Sequence, residues 1–457
     1  MIRFRTACLL AWLPLATGAP APPPCRASTS GPDTLADHTS VERWTLDNGL
    51  CVTTRNIPDA GGVAVTVGYR FGSDQDPEGR EGLAQLLGRL VFLAPAGDFP
   101  DRTPEELESQ RPHGWSYTVT RRATLLTEVV SIDQFPGALR EFATRMRGIT
   151  VDPQALREAI RNVLRERTRQ AFGPPEAALD FRVREVALWR SDQETARRAA
   201  AQGLDRISVR EVREHLGRRF VPSNATLSLA GNLDEVDLHP LVQNLFGDIP
   251  PGTALPQAPP VFLKPGGRVI RHPDLAQAVG VVGVISPAIE DTLHPSFLLA
   301  TLLIGNHFGN TWQMPNDPVT SRYQYAVLDE PDLVRLYPWV AADETRLEAL
   351  SGAAQEALDR ARSLIFTEQI LRGLCSPLVW LMGGPMPPDS RLRITSNPAA
   401  LHTLARSMAA CSMWGGEEFW AGYRRRLQQL PAGDLDKWID YFLAPEHQVR
   451  LLMVPGK

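Results

Sequence analysis

One stretch constrains this chain more than any other: Gly82-Leu83-Ala84-Gln85-Leu86-Leu87-Gly88-Arg89-Leu90-Val91-Phe92. Its leucines at 83, 86, 87 and 90 follow the i, i+3, i+4, i+7 spacing of a helix with one apolar face, so one side has to be buried. Gln85, Gly88 and Arg89 share a second face, because residues three and four apart are helical neighbours. The apolar run Val63 to Phe71, ending at Gly72-Ser73, comes before it and reads as a buried strand. A buried strand feeding a half-buried helix requires a fold in which helices pack on a sheet.

The rest of the chain repeats that requirement. Asn48-Gly49 between Trp44-Thr45-Leu46 and Leu50-Cys51-Val52-Thr53 is a strong hairpin turn. Alternating runs at Trp115 to Thr120 and Ala123 to Ile132 predict paired strands, and Thr226 to Gly231 another. Helices are expected over 103–109, 134–149, 153–172 (Asp152 as N-cap, Pro153 in the first turn), 176–189, 208–220 and 238–246. Prolines 250, 251, 256, 259, 260 and 265 then break the pattern. Beyond them come strands at 269–270, 279–285, 323–327, 334–340 and 448–454, and helices at 295–303, 343–362 (Asp343 as N-cap), 367–380, 401–410, 417–429 and 432–443. At 457 residues the chain exceeds a single core, and its two halves share size and order. We therefore expect an α+β protein of two homologous domains, each a mostly antiparallel sheet packed by helices. The expected boundaries are 41–250 and 266–457, with a linker over 251–265.

The first 40 residues differ. Arg3 and Arg5 supply positive charge, Ala7 to Ala16 is a short apolar core, and small residues follow at 16–19, the layout of a secretory signal peptide over 1–20. The apolar run is about half the ~20 residues that a spanning helix needs, so no membrane span is expected. Residues 21–40, rich in Pro, Ser and Thr, read as a flexible lead-in. The predicted destination is the periplasm or the exterior. A formal net charge of −4 argues against a general nucleic-acid binder. In an oxidising compartment Cys375 and Cys411 are compatible with a disulfide, and equally with two buried thiols. There is no C-x-x-C pair, no two of the nine histidines lie within five residues of each other, and no phosphate-cradle or nucleophile-elbow motif occurs.

In order and spacing, several segments resemble the pitrilysin/insulinase family of zinc metallopeptidases, which includes the mitochondrial processing peptidases. They are Leu46-Asp47-Asn48-Gly49-Leu50-Cys51-Val52, Gly72-Ser73, Gly82-Leu83-Ala84 with Phe92, Phe220 to Leu227 with Ala230-Gly231-Asn232, and Leu245 to Pro250. The resemblance runs from about Val41 to the C-terminus. It implies an inverted zinc motif, H-x-x-E-H, on the early helix: two imidazoles bind zinc, the glutamate between them acts as base, and a distant glutamate completes the ligands. In this sequence those positions hold Gln85, Gly88 and Arg89. A Gln amide oxygen is a weak neutral zinc ligand, Gly has no side chain, and an always-protonated Arg repels a dication. Glu166 stands where the third ligand is implied, a remnant that reads either as an exposed helix carboxylate or, with Arg89 in the vacated metal space, as the partner of that guanidinium. In the second half, Ile304 to Asn310 resembles the family's glycine-containing substrate loop, Thr311-Trp312-Gln313 replaces its S-R-L segment, and Tyr325 matches its substrate-binding tyrosine.

The resemblance implies a catalytically inactive homologue with zinc lost and no other cofactor. Its implied partners are an active zinc-bearing homologous subunit and a peptide or unfolded polypeptide. The competing readings are a metallopeptidase with a non-standard site and a stand-alone scaffold or chaperone-like protein.

Overall fold

The computed structural model describes residues 41–188, 203–253, 262–307, 322–324, 332–338, 340–341, 343–362, 398–429 and 435–456, together with positions 194, 375, 379, 382 and 384. The expected leader and lead-in, most of the linker, most of the helix expected at 367–380 and Tyr325 lie outside them.

Strands β1 (Val41–Thr45), β2 (Cys51–Asn56), β3 (Val63–Tyr69), β4 (Trp115–Val119), β5 (Thr124–Val130) and β6 (Ala225–Gly231) form one sheet in the order β1-β2-β6-β3-β5-β4. Strands β7 (Gly266–His272), β8 (Val279–Ile285), β9 (Arg322–Gln324), β10 (Leu333–Tyr337) and β11 (Gln448–Pro455) form a second, in the order β7-β11-β8-β10-β9. β2 runs parallel to β6 as β7 does to β11, and every other adjacent pair is antiparallel. The second sheet thus repeats the first without β1, the internal duplication that the sequence order suggested.

The helices set out by the described residues are α1 (Leu83–Leu93), α2 (Pro104–Gln110), α3 (Phe135–Arg147), α4 (Pro153–Phe172), α5 (Pro175–Ala187), α6 (Val209–Arg219) and α7 (Leu238–Phe246), then α8 (His294–His307), α9 (Leu347–Arg362), α10 (Pro398–Trp414), α11 (Glu417–Gln428) and α12 (Leu435–Leu443). Side-chain caps set the starts of α2, α4 and α6. Thr103 closes a capping box with Glu106, and the Asp152 side chain accepts from Gln154 N and Ala155 N. The N-cap expected at Asp343 does not form. The Glu344 side chain captures the backbone N–H groups of Thr345 and Arg346, and this local turn delays α9 to Leu347.

The halves are not closed units, because each lends a helix to the other's sheet. From the first half, α5 places Ala178, Leu179, Val183 and Ala187 against Val281, Leu333, Val449 and Leu451 of the second sheet. From the second half, α10 places Leu401, Leu404, Ala405 and Met408 against Ala64, Val129 and Ala230 of the first. Gly68 on β3 admits this approach, since a Cβ there would stand 3.0 Å from the Met413 methyl and from Leu125. Each fully buried Leu contributes about 1.5–3 kcal/mol, so the exchange fuses two sheets into one cooperative body. Ion pairs between Arg121 and Asp332, and between Arg184 and Asp332, add polar contacts across the same junction.

Candidate functional site

The site is built on α1, which packs on the first sheet with Leu83, Leu86, Leu87, Leu90 and Phe92 in the core. Its start is fixed by Asp76, whose carboxylate accepts from Gly82 N at 2.7 Å and Ala84 N at 2.8 Å. Gly82 takes the left-handed conformation (φ 97°) that this entry turn needs. Burial pushes the Asp76 carboxyl up to about 6, against the pull of those two N–H donors and of Arg167. At the other end, Arg102 donates to Phe92 O and Arg145 to Val91 O, satisfying carbonyls that a helix C-terminus leaves open. These guanidiniums are held by buried Glu128 and Glu141, with Arg111 as a third cation. Burial raises Glu128, but Arg102 and Arg111 outweigh it and hold the carboxyl below its ordinary range.

The second face of α1 carries the sequence-singled residues, and the structure gives each a neighbour. Gln85 is half-buried, and its Oε1 accepts from Arg167 Nη1 at 3.1 Å. Arg89, also half-buried, donates through Nη1 to Tyr117 Oη on β4 at 2.9 Å. A Cβ on Gly88 would stand 3.0 Å from Thr124 Cγ2 and 3.2 Å from Val119 Cγ2, so the sheet has closed over the place where a longer side chain would begin. Glu166 lies exposed on α4, close enough to raise the Tyr117 hydroxyl together with burial, the larger effect. The expected Arg89–Glu166 pairing is not formed as an ion pair: Tyr117 holds the guanidinium, and the residue turned from α4 to α1 is Arg167.

Sequence reasoning passed over Arg167 and Tyr117. A clue was present for Arg167, since it continues the buried ladder of Leu156, Ile160 and Val163 and is itself buried. A charged residue at a core-facing step asks for a partner, which Gln85 supplies. Tyr117 carried no comparable mark, because its role depends on which strand the fold sets beside α1.

Zinc does not fit the residues present. The Gln85 amide oxygen is spent on a guanidinium, Gly88 brings no donor, and Arg89 and Arg167 set two fixed cations where a dication would sit. Among the described residues no group of three or more His, Cys, Asp and Glu side chains could hold a metal ion. Cys375 and Cys411 stand as separate thiols in one apolar cluster, and burial pushes the Cys411 thiol up to about 12.

Among the described residues β4, beside α1, ends the sheet. Gly114 O accepts from Val129 N and Thr120 N donates to Ala123 O, which sets the even-numbered residues of β4 as the pairs bonded to β5. The N–H and C=O groups of Trp115, Tyr117 and Val119 therefore point to the open edge. Their side chains stand on the α1 face, where Phe92 lies 5.9 Å from the rings of both Trp115 and Tyr117. On the opposite face Ser116 Oγ meets His402 Nε2 of α10 at 2.9 Å.

Two sheets are thus repeated in tandem, each backed by the other's helix, with a polar helix face beside the strand that ends the first sheet. Residues 206–322 match the family model described as "Peptidase M16 inactive domain". An uncharacterized zinc protease of Rickettsia bellii is 21% identical over 335 residues, covering 72% of this chain and 79% of that one. Among solved structures, a protease from Helicobacter pylori superimposes with TM-score 0.70 at 16% identity over 91% of this chain and all of that one. The periplasmic protease PqqL from Escherichia coli gives 0.65 at 15% identity over 93% of this chain, which spans only 48% of PqqL. The chain is thus similar to pitrilysin/insulinase-type, or M16, peptidases, its residues 206–322 match that family's inactive-domain model, and its sequence holds no H-x-x-E-H motif.

Proposed function

We propose that this protein is a non-catalytic member of the family that binds extended polypeptide and works beside an active, zinc-bearing homologous chain. The observation that carries the reading is the polar face of α1. Hydrolysis in this family needs a metal and a base at positions 85, 88 and 89, and here they hold an amide bonded to Arg167, a glycine packed on the sheet, and an arginine bonded to Tyr117. What persists is a means of holding a peptide. Unpaired backbone groups on an edge strand hydrogen-bond an added strand, and neighbouring side chains select it. The open edge of β4 offers three such residues next to α1.

The partner half of the reading is supported by proportion, since the chain matches about half of PqqL. Export to the periplasm is supported by the leader-like N-terminus and by the named location of PqqL. No helix among the described residues is long and apolar enough to cross a membrane. The test is to tag the full chain in its own cell, cross-link mildly, and identify what co-purifies. A homologous chain carrying H-x-x-E-H is expected. Repeated recovery of the tagged chain with no such homologue would overturn the partner reading and favour a stand-alone scaffold.

A further inference from the structure

We propose that Arg89, held by Tyr117, reads a carboxylate on a peptide strand added to β4. This rests on the peptide-binding reading above. A strand paired antiparallel on the open edge meets the outward N–H and C=O of Tyr117, and the residue opposite Tyr117 sets its side chain on the same face of the sheet, about 5 Å from the Tyr117 Cβ. That face is the α1 face, where the Arg89 guanidinium is held against the Tyr117 hydroxyl at 2.9 Å. A guanidinium offers five N–H donors in a planar fork, and the bond to Tyr117 uses one. The group that matches the remaining fork is a carboxylate, which accepts two parallel bonds.

The surroundings tune the position instead of cancelling it. Arg167 adds a second cation on the same side of α1, committed to Gln85. Glu166 is the nearby exposed anion, and it weakens the attraction without being bonded to Arg89. A position that in catalytic relatives would polarise a peptide carbonyl through a metal thus becomes one that distinguishes charged from neutral peptide. The carboxylate has two sources, an Asp or Glu side chain within the strand or the C-terminus of the bound chain.

The experiment measures fluorescence anisotropy of three fluorescein-labelled decapeptide pools against the full chain. The pools are a randomised neutral pool with amidated C-termini, the same pool with free C-termini, and the amidated pool with one central Glu. At least one carboxylate-bearing pool is expected to bind about tenfold more tightly than the neutral pool, the size of one charge-assisted hydrogen-bonded contact. Which pool gains identifies the source. Arg89→Met should bring the ratio to about one while neutral-pool binding persists, Arg89→Lys should keep part of it, and Glu166→Gln should widen it. Unchanged thermal unfolding of Arg89→Met separates loss of recognition from loss of fold. Equal binding of all three pools would overturn the carboxylate inference and leave peptide binding standing. No binding of any pool would overturn both.

Discussion

The helices α1 and α8 occupy matching places in the duplicated sheets, each following the second strand of its repeat, β3 or β8, yet their surroundings differ. α8 is apolar nearly all round: Phe297, Leu298, Leu299, Ala300, Leu303 and Ile304 are buried, and α9, α11 and α12 pack against it. A helix without a polar stripe belongs inside a core. α1 buries one face equally well and leaves Gln85 and Arg89 half-buried next to the open edge of β4. Duplication made two equivalent helices; one became packing and the other kept a surface on which recognition can be built. With Gln85, Gly88 and Arg89 on its second face, α1 is therefore not a second α8.

The comparison can be broken from the packing side first. Phe297→Ala removes a ring that stacks on Phe442 and meets Trp438 and Tyr441, and should cost about 3–5 kcal/mol in urea unfolding. A loss below about 1 kcal/mol would mean that α8 is not the core element described.

The network behind α1 comes next. Glu128→Gln removes the nearer anion of Arg102 and Arg111, leaves Glu141 alone among three guanidiniums, and should cost about 3 kcal/mol at neutral pH. In the parent protein, Glu128 lies below its unfolded value. Its contribution is therefore complete above the ordinary carboxylate range and is lost as pH falls through the folded value. Melting temperature followed from pH 7 downward should fall more steeply in the parent than in Glu128→Gln.

Smaller effects test the polar face and the shared helix. Gly88→Glu drives a side chain into Thr124 and Val119 and should cost about 1–3 kcal/mol, outweighing the roughly 1 kcal/mol that leaving glycine gains in a helix. Ser116→Ala removes the hydrogen bond to His402 and should cost about 0.5–1.5 kcal/mol. Burial, helped by Arg406, holds His402 down at about 4, below its unfolded value near 6.5. The imidazole is therefore neutral in the fold, and the parent loses stability as pH falls from about 6.5 to about 4. Replacing His402 by Gln should flatten that part of the pH profile.

Much of this was legible in the sequence because it rests on local rules. The α1 periodicity, the Asn48-Gly49 turn and the Asp152 cap each declare themselves within a few residues. The placement of Gln85, Gly88 and Arg89 on one helix was legible as well, since residues at that spacing are helical neighbours whatever surrounds them. The exchange of α5 and α10 was not, because an apolar helix face does not say which sheet covers it. The same limit hid Tyr117 and left Arg89 assigned to Glu166: strand neighbours are set by topology, and Tyr117 lies 28 residues away in sequence from Arg89. Asp343 failed as a cap for the opposite reason, a competing local turn at Glu344.

The most direct test of the central claim, that α1 keeps the family's fold and not its metal chemistry, is a calorimetric zinc titration of the purified full chain, with peptide cleavage followed in the same samples. The account predicts no stoichiometric zinc uptake and no turnover. One zinc bound per chain, with hydrolysis abolished by a chelator and restored by zinc, would contradict it.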